Sequence, residues 1–370
     1  MKHIYLLALI GLLPFSAQAG EWEFDLSGSA KGLYGYTDTA RRFEYKNKDN
    51  HGIGAGEINA SAVYTSADED YSLGLYADLL GGIDRELQSY NQGRWGEEVY
   101  AIGDSPYGRL MLGQTFNVAA QFYDGAPMVG ALRNNNDVVD FIANPNWRRS
   151  SKQTKFATLN SAYINTDGVA PKISYITPEF YGTSVGVTYV PNAYNRRGLI
   201  NNHASYAHKD GYVGAVVTEQ EISGVNLKSS AAAARFHDND AEYSLSVLLE
   251  YGNWSLGGGW RKTYIDGQDK QKSTDARMPE LFDNYREGTA WDAGIGYKFG
   301  PFKTVLSYFE AKAERTANQD KIWIFSNQYQ LNKYTDIYLA AAHVDFAGNS
   351  HDTADNNQGW AVVAGIGLNF

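Results

Sequence analysis

The sequence predicts an all-β protein, a sixteen-stranded antiparallel transmembrane β-barrel, on three observations. Short segments alternate between apolar and polar residues with a period of two. Aromatic residues and glycine are spread along the whole chain, with 27 Tyr, 16 Phe, 8 Trp and 38 Gly. After the first twenty residues no apolar run is long enough for a membrane helix, and the mean hydropathy is -0.43. Membrane strands meet all three conditions.

The N-terminus predicts a secretory signal peptide, residues 1–19, ahead of a barrel domain over residues 20–370. Lys2 precedes the apolar run 4–15, and the small residues of the segment 17–19 suit a cleavage site. The alternative is a membrane anchor, which needs about 18 or more apolar residues. We therefore expect export.

The chain is acidic and contains no cysteine. Its net charge is -10, and loss of Lys2 with the signal peptide makes it -11. This balance argues against nucleic acid as a partner. The 7 histidines fall in no ligand or nucleophile pattern, so we expect no catalytic residue, no metal and no other cofactor.

The first strand shows the alternation most clearly. One face carries Trp22, Phe24, Leu26, Gly28, Ala30, Gly32, Tyr34 and Tyr36. The other face carries Glu23, Asp25, Ser27, Ser29 and Lys31. Successive side chains of a strand point to opposite faces, so this segment suits a wall with lipid outside and water inside.

The last strand repeats the pattern and ends on an aromatic residue. Trp360, Val362, Ala364, Ile366, Leu368 and Phe370 share one face, and Gly365, Gly367 and Asn369 share the other. Both ends of the chain therefore predict strands that close a barrel in the outer membrane of a Gram-negative bacterium.

The connections between strands alternate between short and long, as in barrels of this class. Short turns are predicted at residues 66–70, 104–107, 178–182, 209–211, 251–254, 300–301 and 332–333. Longer connections are predicted near 38–52, 80–96, 118–169, 191–200, 220–240, 266–287, 315–319 and 347–358. Residues 152–165 and 225–236 could each form a strand, which would make eighteen. Sixteen strands are preferred because every clear tight turn then lies on the same side of the membrane, the periplasmic side.

A barrel of this size is too wide to be filled by its own side chains. It encloses water, and we expect it to conduct small polar solutes unless something closes it.

The connection 118–169 is about 50 residues long, which indicates a role. It carries three carboxylates, Asp124, Asp137 and Asp140. It either folds into the lumen, where these carboxylates face basic side chains of the wall, or remains a solvated surface loop. The residues favour neither alternative.

Four basic side chains are candidates for the opposing wall: Lys31, Arg109, Lys172 and Arg261. Lys31, Lys172 and Arg261 have the parity of lumen-facing residues, whereas Arg109 lies near a bend at Gly113. Fixed charge across a narrow neck sets ion preference, since the Debye length is about 8 Å at physiological salt. The alternative for each is a lumen-facing side chain that contacts water and has no part in a constriction.

Three segments resemble those of the trimeric general diffusion porins. Residues 329–338 are similar to a hairpin near the C-terminus of that family, with Asn332 and Tyr334 in place of its usual serine and arginine. Residues 173–182 resemble the hairpin that follows the constriction loop, and residues 107–114 resemble the segment that leads into it. With the two terminal strands, the resemblance covers the mature chain.

The resemblance implies a homotrimer, a long third loop folded into the pore, and passive diffusion of small hydrophilic solutes and ions. It also implies contact with outer-membrane lipid and lipopolysaccharide, and assembly by the barrel-assembly machinery through the strand ending at Phe370. Lys31 matches a basic position of the family's eyelet. Gln114 stands where many members carry an eyelet arginine, and the usual acidic, glycine-rich motif of the loop is not evident. These departures concern the charge of the constriction.

Two other functions suit an exported barrel. One is an adhesin or structural protein with a closed lumen. The other is a barrel hydrolase, which is disfavoured because no catalytic pattern is found. Conduction through an open lumen would distinguish the channel from both.

Overall fold

The computed structural model describes most of the barrel wall and the long connection inside it. The described residues are 20–39, 50–83, 98–132, 137–147, 158–192, 210–236, 240–264, 287–314, 316–348 and 356–370. The predicted signal peptide lies outside them. Within these ranges, no helix is both long and apolar enough to cross a membrane.

Sixteen antiparallel strands close into a barrel, which confirms the predicted fold class and strand number. The strands are β1 (Glu21–Asp38), β2 (Asn50–Thr65), β3 (Ser72–Ile83), β4 (Val99–Ser105), β5 (Gly108–Gln114), β6 (Pro171–Ile176), β7 (Thr183–Val190), β8 (Gly211–Ile222), β9 (Val225–Arg235), β10 (Ala241–Tyr251), β11 (Trp254–Tyr264), β12 (Gly288–Phe299), β13 (Phe302–Ala313), β14 (Gln319–Asn332), β15 (Thr335–Ala347) and β16 (Asn357–Asn369). Each pairs with its neighbours along the chain.

The ring closes between β1 and β16. Their register runs from Ser29 opposite Asn369 to Asp38 opposite Trp360. The Phe370 N–H donates to the Gly28 carbonyl, and the Gly28 N–H donates to the Phe370 carbonyl, each over 3.0 Å. The terminal residue is therefore part of the seam.

The predicted alternation of faces is confirmed at both ends of the chain. Trp22, Phe24, Leu26, Tyr34 and Tyr36 of β1 and Trp360, Val362, Ile366 and Leu368 of β16 are all exposed on the outer surface. Outward rings also meet across strands, with 4.5 Å between the centroids of Tyr308 and Trp323. Such rings form the aromatic girdle of a membrane barrel.

Two predicted connections were misplaced. Residues 209–211 are not a tight turn, because Gly211 begins β8, and residues 220–240 are not one long loop. A turn at Ser223 and Gly224 joins β8 to β9. Their φ angles of 54° and 81° match the turn type that twists with a hairpin.

The alternative strand 225–236 is confirmed as β9, within a total of sixteen strands. The inner wall explains why the preferred assignment placed a loop there. Ala232 and Ala234 face inward beneath another segment of the chain, so this strand needs no polar inner face. Period-two alternation is therefore weak there. The predicted strand just before residue 209 lies outside the described residues. The other alternative strand was 152–165, and its described residues, 158–165, form no strand.

The connection from β5 to β6, residues 115–170, turns into the barrel. We call it the inward loop. Its described part contains a one-turn helix, α1 (Val118–Gln121), and two short 3-10 helices, Asp137–Asp140 and Pro145–Trp147.

Candidate functional site

The inward loop begins on the inner wall made by β7, β8 and β9. Its residues Val118, Ala119, Phe122, Ile164 and Ala170 pack on Val190, Val213, Ala215, Val217, Ala234 and Phe236. Burying each large apolar side chain contributes about 1.5–3 kcal/mol, so this contact favours docking of the loop.

Asn117 joins the two ends of the loop. Its Oδ1 accepts from the Ala120 N–H over 3.0 Å, which caps α1. Its Nδ2 donates to the Ile164 carbonyl over 3.1 Å and to Asp167 Oδ1 over 2.6 Å. The outgoing and returning arms are therefore held side by side.

Asp292 of β12 fixes the next part of the loop. Its Oδ2 accepts from the Tyr123 hydroxyl over 2.7 Å, and its Oδ1 accepts from the Ala126 N–H over 2.9 Å. Tyr123 lies in the loop, outside the membrane strands. Burial, together with the nearby Asp292 carboxylate, raises the pKa of its phenol well above the usual value. The phenol therefore stays a donor at physiological pH.

Glycines of β11 make room for this contact. A Cβ at Gly257 would collide with the Gly125 carbonyl oxygen, and one at Gly259 would collide with the Tyr123 hydroxyl. The wall and the loop therefore approach more closely here than side chains would allow.

The middle of the inward loop lies on an apolar stretch of the inner wall. Ala131, Leu132, Val138, Phe141, Ile142 and Leu159 pack on Ala290, Phe309, Ala311, Ile322, Ile324, Tyr338, Ala340, Ala342, Val344, Phe346, Ala361 and Val363. Bare apolar wall in a water-filled lumen would be unfavourable, and the loop covers it.

The loop also reaches the ends of β1 and β2 that lie beside the long connections. His51 stacks on Phe141 at a centroid distance of 5.0 Å, and its Nε2 lies 2.7 Å from the Asp140 carbonyl oxygen. The described contacts of the loop thus extend from β6 through β16 to this upper part of β1 and β2.

Asp320 of β14 is a second buried acidic anchor. It accepts from Asn144 Nδ2 over 2.9 Å, from Asn146 Nδ2 over 2.6 Å, and from the Thr158 hydroxyl. Its residue surface is 1% exposed. Three loop side chains satisfy this carboxylate, so docking of the loop removes the cost of burying it.

Arg261 of β11 binds the returning arm of the loop. It donates to Glu242 of β10 over 2.7 Å and to Ser161, Asn165 and Thr166 over 2.8–3.1 Å. Lys172 of β6 pairs with Asp167 over 2.6 Å, with both side chains 0% exposed, and donates to the Gly168 carbonyl.

The structure thus brings two predicted wall bases to the inward loop, as expected from their parity. Their burial differs from the expectation that they present charge to water in the neck. Arg261 and Lys172 are each covered by loop residues and paired with a carboxylate, Glu242 and Asp167 respectively. They hold the loop in place.

Of the three predicted loop carboxylates, Asp124 meets a basic side chain of the wall. Its partner is Lys228 of β9, at 2.7 Å, which also pairs with Glu219 of β8 at 2.8 Å. Asp140 lies at the end of a 3-10 helix beside β2. Asp137 begins that helix, and its side chain lies outside the described part.

The other predicted wall residues lie apart from this contact. Lys31 faces inward, with its Nζ 5.9 Å from the centroid of the Tyr338 ring. Arg109 pairs with Asp104 over 2.7 Å at the end of the barrel that carries the short turns, and it is exposed. Gln114 ends β5, where it is buried beside the positive-φ bend at Gly113.

One inward wall lies outside the apolar contacts of the described part of the loop, although the Thr115 hydroxyl at the start of the loop donates to its residue Glu98. It carries Glu57 and Asn59 on β2, Tyr76 and Asp78 on β3, and Glu98 and Tyr100 at and just before the start of β4, all partly exposed. Tyr76 stacks on Tyr100 at a centroid distance of 5.3 Å. We call this set the open wall.

Sequence analysis did not single out several residues of the site. They are the wall residues that anchor the loop, Glu242, Asp292 and Asp320; the ion-pair partners Asp167 and Lys228; and the carboxylates of the open wall. Strand parity could have found Asp292, since Trp291 and Ile295 face outward on the same strand. Only the fold shows which of these side chains the loop covers.

The comparisons with known proteins agree with this geometry. A sequence model described as Gram-negative porin matches residues 6–349. No curated protein matches the sequence. Among solved structures, OmpF of Salmonella typhi in complex with daunomycin is similar at a TM-score of 0.61 and 13% identity, over 94% of this chain and 97% of that chain.

Two further structures are similar over nearly all of both chains. The anion-selective porin from Comamonas acidovorans has a TM-score of 0.58 and 12% identity, covering 95% of this chain and 100% of that one. OmpT of Vibrio cholerae has a TM-score of 0.57 and 10% identity, covering 95% and 99%. At these identities the likeness concerns the fold.

Proposed function

The chain belongs to the Gram-negative porin family, and from this premise we propose that solutes pass between the inward loop and the open wall. The protein is an outer-membrane porin, a water-filled channel for passive diffusion of small hydrophilic solutes and ions. The observation that carries the proposed route is the placement of the described part of the loop. It packs on the wall from β6 through β16, and the open wall lies outside these apolar contacts.

The constriction follows from this route. On the loop side it is bordered by Asp124, Lys228 and Glu219, and on the opposite side by Lys31 and the open wall. Gln114, Asp137 and Asp140 belong to the loop base and tip. Lys172 and Arg261 act on the constriction indirectly, by holding the loop.

We also propose a homotrimer. The outer face of β1 carries Ala30 and Gly32, opposite Gly56 and Gly54 of β2. Small outward residues let neighbouring walls approach closely within a membrane. If the wild type runs as an oligomer on unheated gels, the Ala30→Trp variant should lose that oligomer, whereas Gly214→Trp on the outer face of β8 should keep it. Equal loss or equal retention would contradict this interface.

Three features support our proposal for how the protein is exported and inserted into the outer membrane. Residues 1–19 would direct export and be removed. The strand ending at Phe370 would be recognised by the barrel-assembly machinery, since Phe370 pairs with Gly28 at the seam. Outward aromatic rings suit lipid. The outward residues Lys312, which pairs with Glu310 over 2.8 Å, and Lys321 suit the phosphates of lipopolysaccharide.

The channel has the support of family and fold, and we propose that it has no enzymatic activity. The family and the fold do not favour the two alternatives, a closed-lumen adhesin and a hydrolase. Purified, refolded protein in a planar bilayer should give stepwise conductance, in steps of three if the trimer inserts as a unit. Folded protein that leaves the bilayer silent would contradict the channel.

A further inference from the structure

A groove lies on the outer face of the wall made by β6 to β10. It encloses about 880 Å³, and its lining residues all belong to the described part of the chain. Ligand pockets usually measure about 300–1,000 Å³. The groove is on the outer side of the barrel, because Val187, Tyr212 and Tyr243 of its lining point outward and are exposed.

The pairing of the strands explains the groove. A row of outward residues crosses the wall, each directly opposite the next: Tyr175, Val187, Gly214, Ala233 and Tyr243. Gly214 and Ala233 are small, whereas the residues on either side of them are large. Neighbouring strands lie about 4.8 Å apart, so about 14 Å separates the backbones of Val187 and Tyr243. The groove is therefore a gap in a surface of large side chains.

The floor of the groove is open and its rims are aromatic. A Cβ added at Gly214 would meet no heavy atom within 4 Å. On one side Tyr212 lies opposite Tyr189, with 5.4 Å between the ring centroids. On the other side Tyr243 lies opposite Ala233. Aromatic rings offer large apolar surfaces, so these rims suit an apolar ligand.

The surroundings of the groove limit what can fill it. The outer face of an outer-membrane barrel contacts hydrocarbon. Space left unfilled there would forfeit contacts with the wall. The groove is continuous with this lipid-facing surface, since Val185 and Leu245, nearer the periplasmic turns, are also outward and exposed. An acyl chain, which is long, narrow and apolar, fits this place.

The position of the groove along the strands selects the leaflet. Tyr212 is the second residue of β8, Arg235 is the last of β9, and Tyr243 is the third of β10. These strand ends carry the connections opposite to the turn at Ser223 and Gly224, which is periplasmic. The groove therefore lies in the outer leaflet, which consists of lipopolysaccharide in a Gram-negative outer membrane.

Polar residues lie at the extracellular end of the groove. Arg235 is outward and exposed there, opposite Tyr212. It takes part in another contact of the protein, and its guanidinium has five N–H donors, so it can also donate to a phosphate of a lipid headgroup. At the same level the Tyr189 hydroxyl donates to Asp210 over 3.1 Å. The change from apolar to polar lining matches the order of acyl chain and headgroup in a lipid.

We propose that this groove binds an acyl chain of one lipopolysaccharide molecule, whose headgroup lies beside Arg235. The inference rests on the proposed contact with lipopolysaccharide and gives that contact a place. It lies on a face of the barrel away from the proposed subunit interface at β1 and β2. The binding is non-covalent and independent of the passage through the barrel.

The test counts the lipopolysaccharide molecules that stay bound to protein purified in mild detergent from outer membranes, by native mass spectrometry. Gly214→Trp and Ala233→Phe each place a ring in the groove and should lose one bound lipopolysaccharide per chain. Their conductance should equal that of the wild type, because only the outer face changes. Ala293→Trp is the matched control, since Ala293 is outward on β12, opposite Tyr308 and away from the groove. It should keep the wild-type number.

An unchanged number in both groove variants would overturn the inference, as would equal losses in Gly214→Trp and Ala293→Trp. A wild type that retains no lipopolysaccharide, or groove variants that lose a phospholipid instead, would also overturn it. Loss of the oligomer in Gly214→Trp would make this face a subunit interface and would exclude the lipid. A silent bilayer would contradict the channel, whereas the number of bound lipopolysaccharide molecules would still test the groove.

Discussion

Arg261 and Glu242 form an ion pair of 2.7 Å whose side chains are 1% and 2% exposed, roofed by the returning arm of the inward loop. The pair is buried only because the loop is docked. Ser161, Asn165 and Thr166 of the loop accept the remaining guanidinium hydrogens. Docking of the loop and burial of this pair are therefore one event.

Arg261→Leu should weaken the docked loop strongly. It leaves Glu242 buried without its cation, which costs about 3–5 kcal/mol. Urea unfolding of the refolded barrel should show the loss, and single-channel conductance should become larger or noisier. Adding Glu242→Leu should recover most of the stability, because a buried pair replaced by apolar residues is often neutral.

Arg109→Leu is the matched control for this change. The Arg109–Asp104 pair is exposed, with side chains 49% and 38% accessible, and such pairs contribute about 0–1 kcal/mol. Equal losses from Arg261→Leu and Arg109→Leu would show that the loop does not depend on the buried pair.

Tyr123→Phe should destabilise the barrel by about 1.5–3 kcal/mol, since it removes a donor to the buried Asp292 carboxylate. Burial raises the pKa of Tyr123 above that of an unfolded tyrosine, about 10. The stabilisation is therefore fully present below pH about 10 and is lost as the pH rises further.

The measurement is the unfolding free energy of wild type and Tyr123→Phe across this pH range. The difference between them should be constant from neutral pH to about 10 and should shrink above it. A difference that stays constant above pH about 10 would mean that Tyr123 has the same pKa in the folded and the unfolded protein.

Gly257→Ala should displace the loop without changing any charge. Its Cβ would collide with the backbone carbonyl of Gly125, which cannot move unless the loop does. Single-channel conductance should therefore change. Gly214→Ala is the control, because no heavy atom lies within 4 Å of the added Cβ. Unchanged conductance in Gly257→Ala would argue against close contact between β11 and the loop.

Much of the barrel could be predicted because each strand carries its own signal. The outward aromatic residues of β1 and β16 and the even strand number follow from alternation and turn chemistry. The preferred assignment failed at the connections on either side of β8, and β9, whose inner face is apolar, was predicted only as an alternative strand. Ala232 and Ala234 look like loop residues until the segment that covers them is known.

The site was less predictable, because the role of each inward charge depends on what the loop covers. Lys172, Arg261 and Lys31 share the same parity, yet the first two are buried under the loop and Lys31 remains partly exposed. Partners such as Asp167 for Lys172 or Glu242 for Arg261 could be named only from the fold. Parity predicts which face a side chain occupies, and only packing shows whether that face is wet.

The most direct test of the docked loop is the access of a charged thiol reagent to single cysteines on the inner wall. The chain contains no cysteine, so the thiol reagent has no target in the unmodified protein. Asn59 lies on the open wall, whereas Ser326 lies beneath the loop, where its hydroxyl donates to the Leu132 carbonyl. Asn59→Cys should react rapidly and reduce conductance, and Ser326→Cys should be protected. Equal reaction rates at the two positions would contradict a loop that lies on this wall.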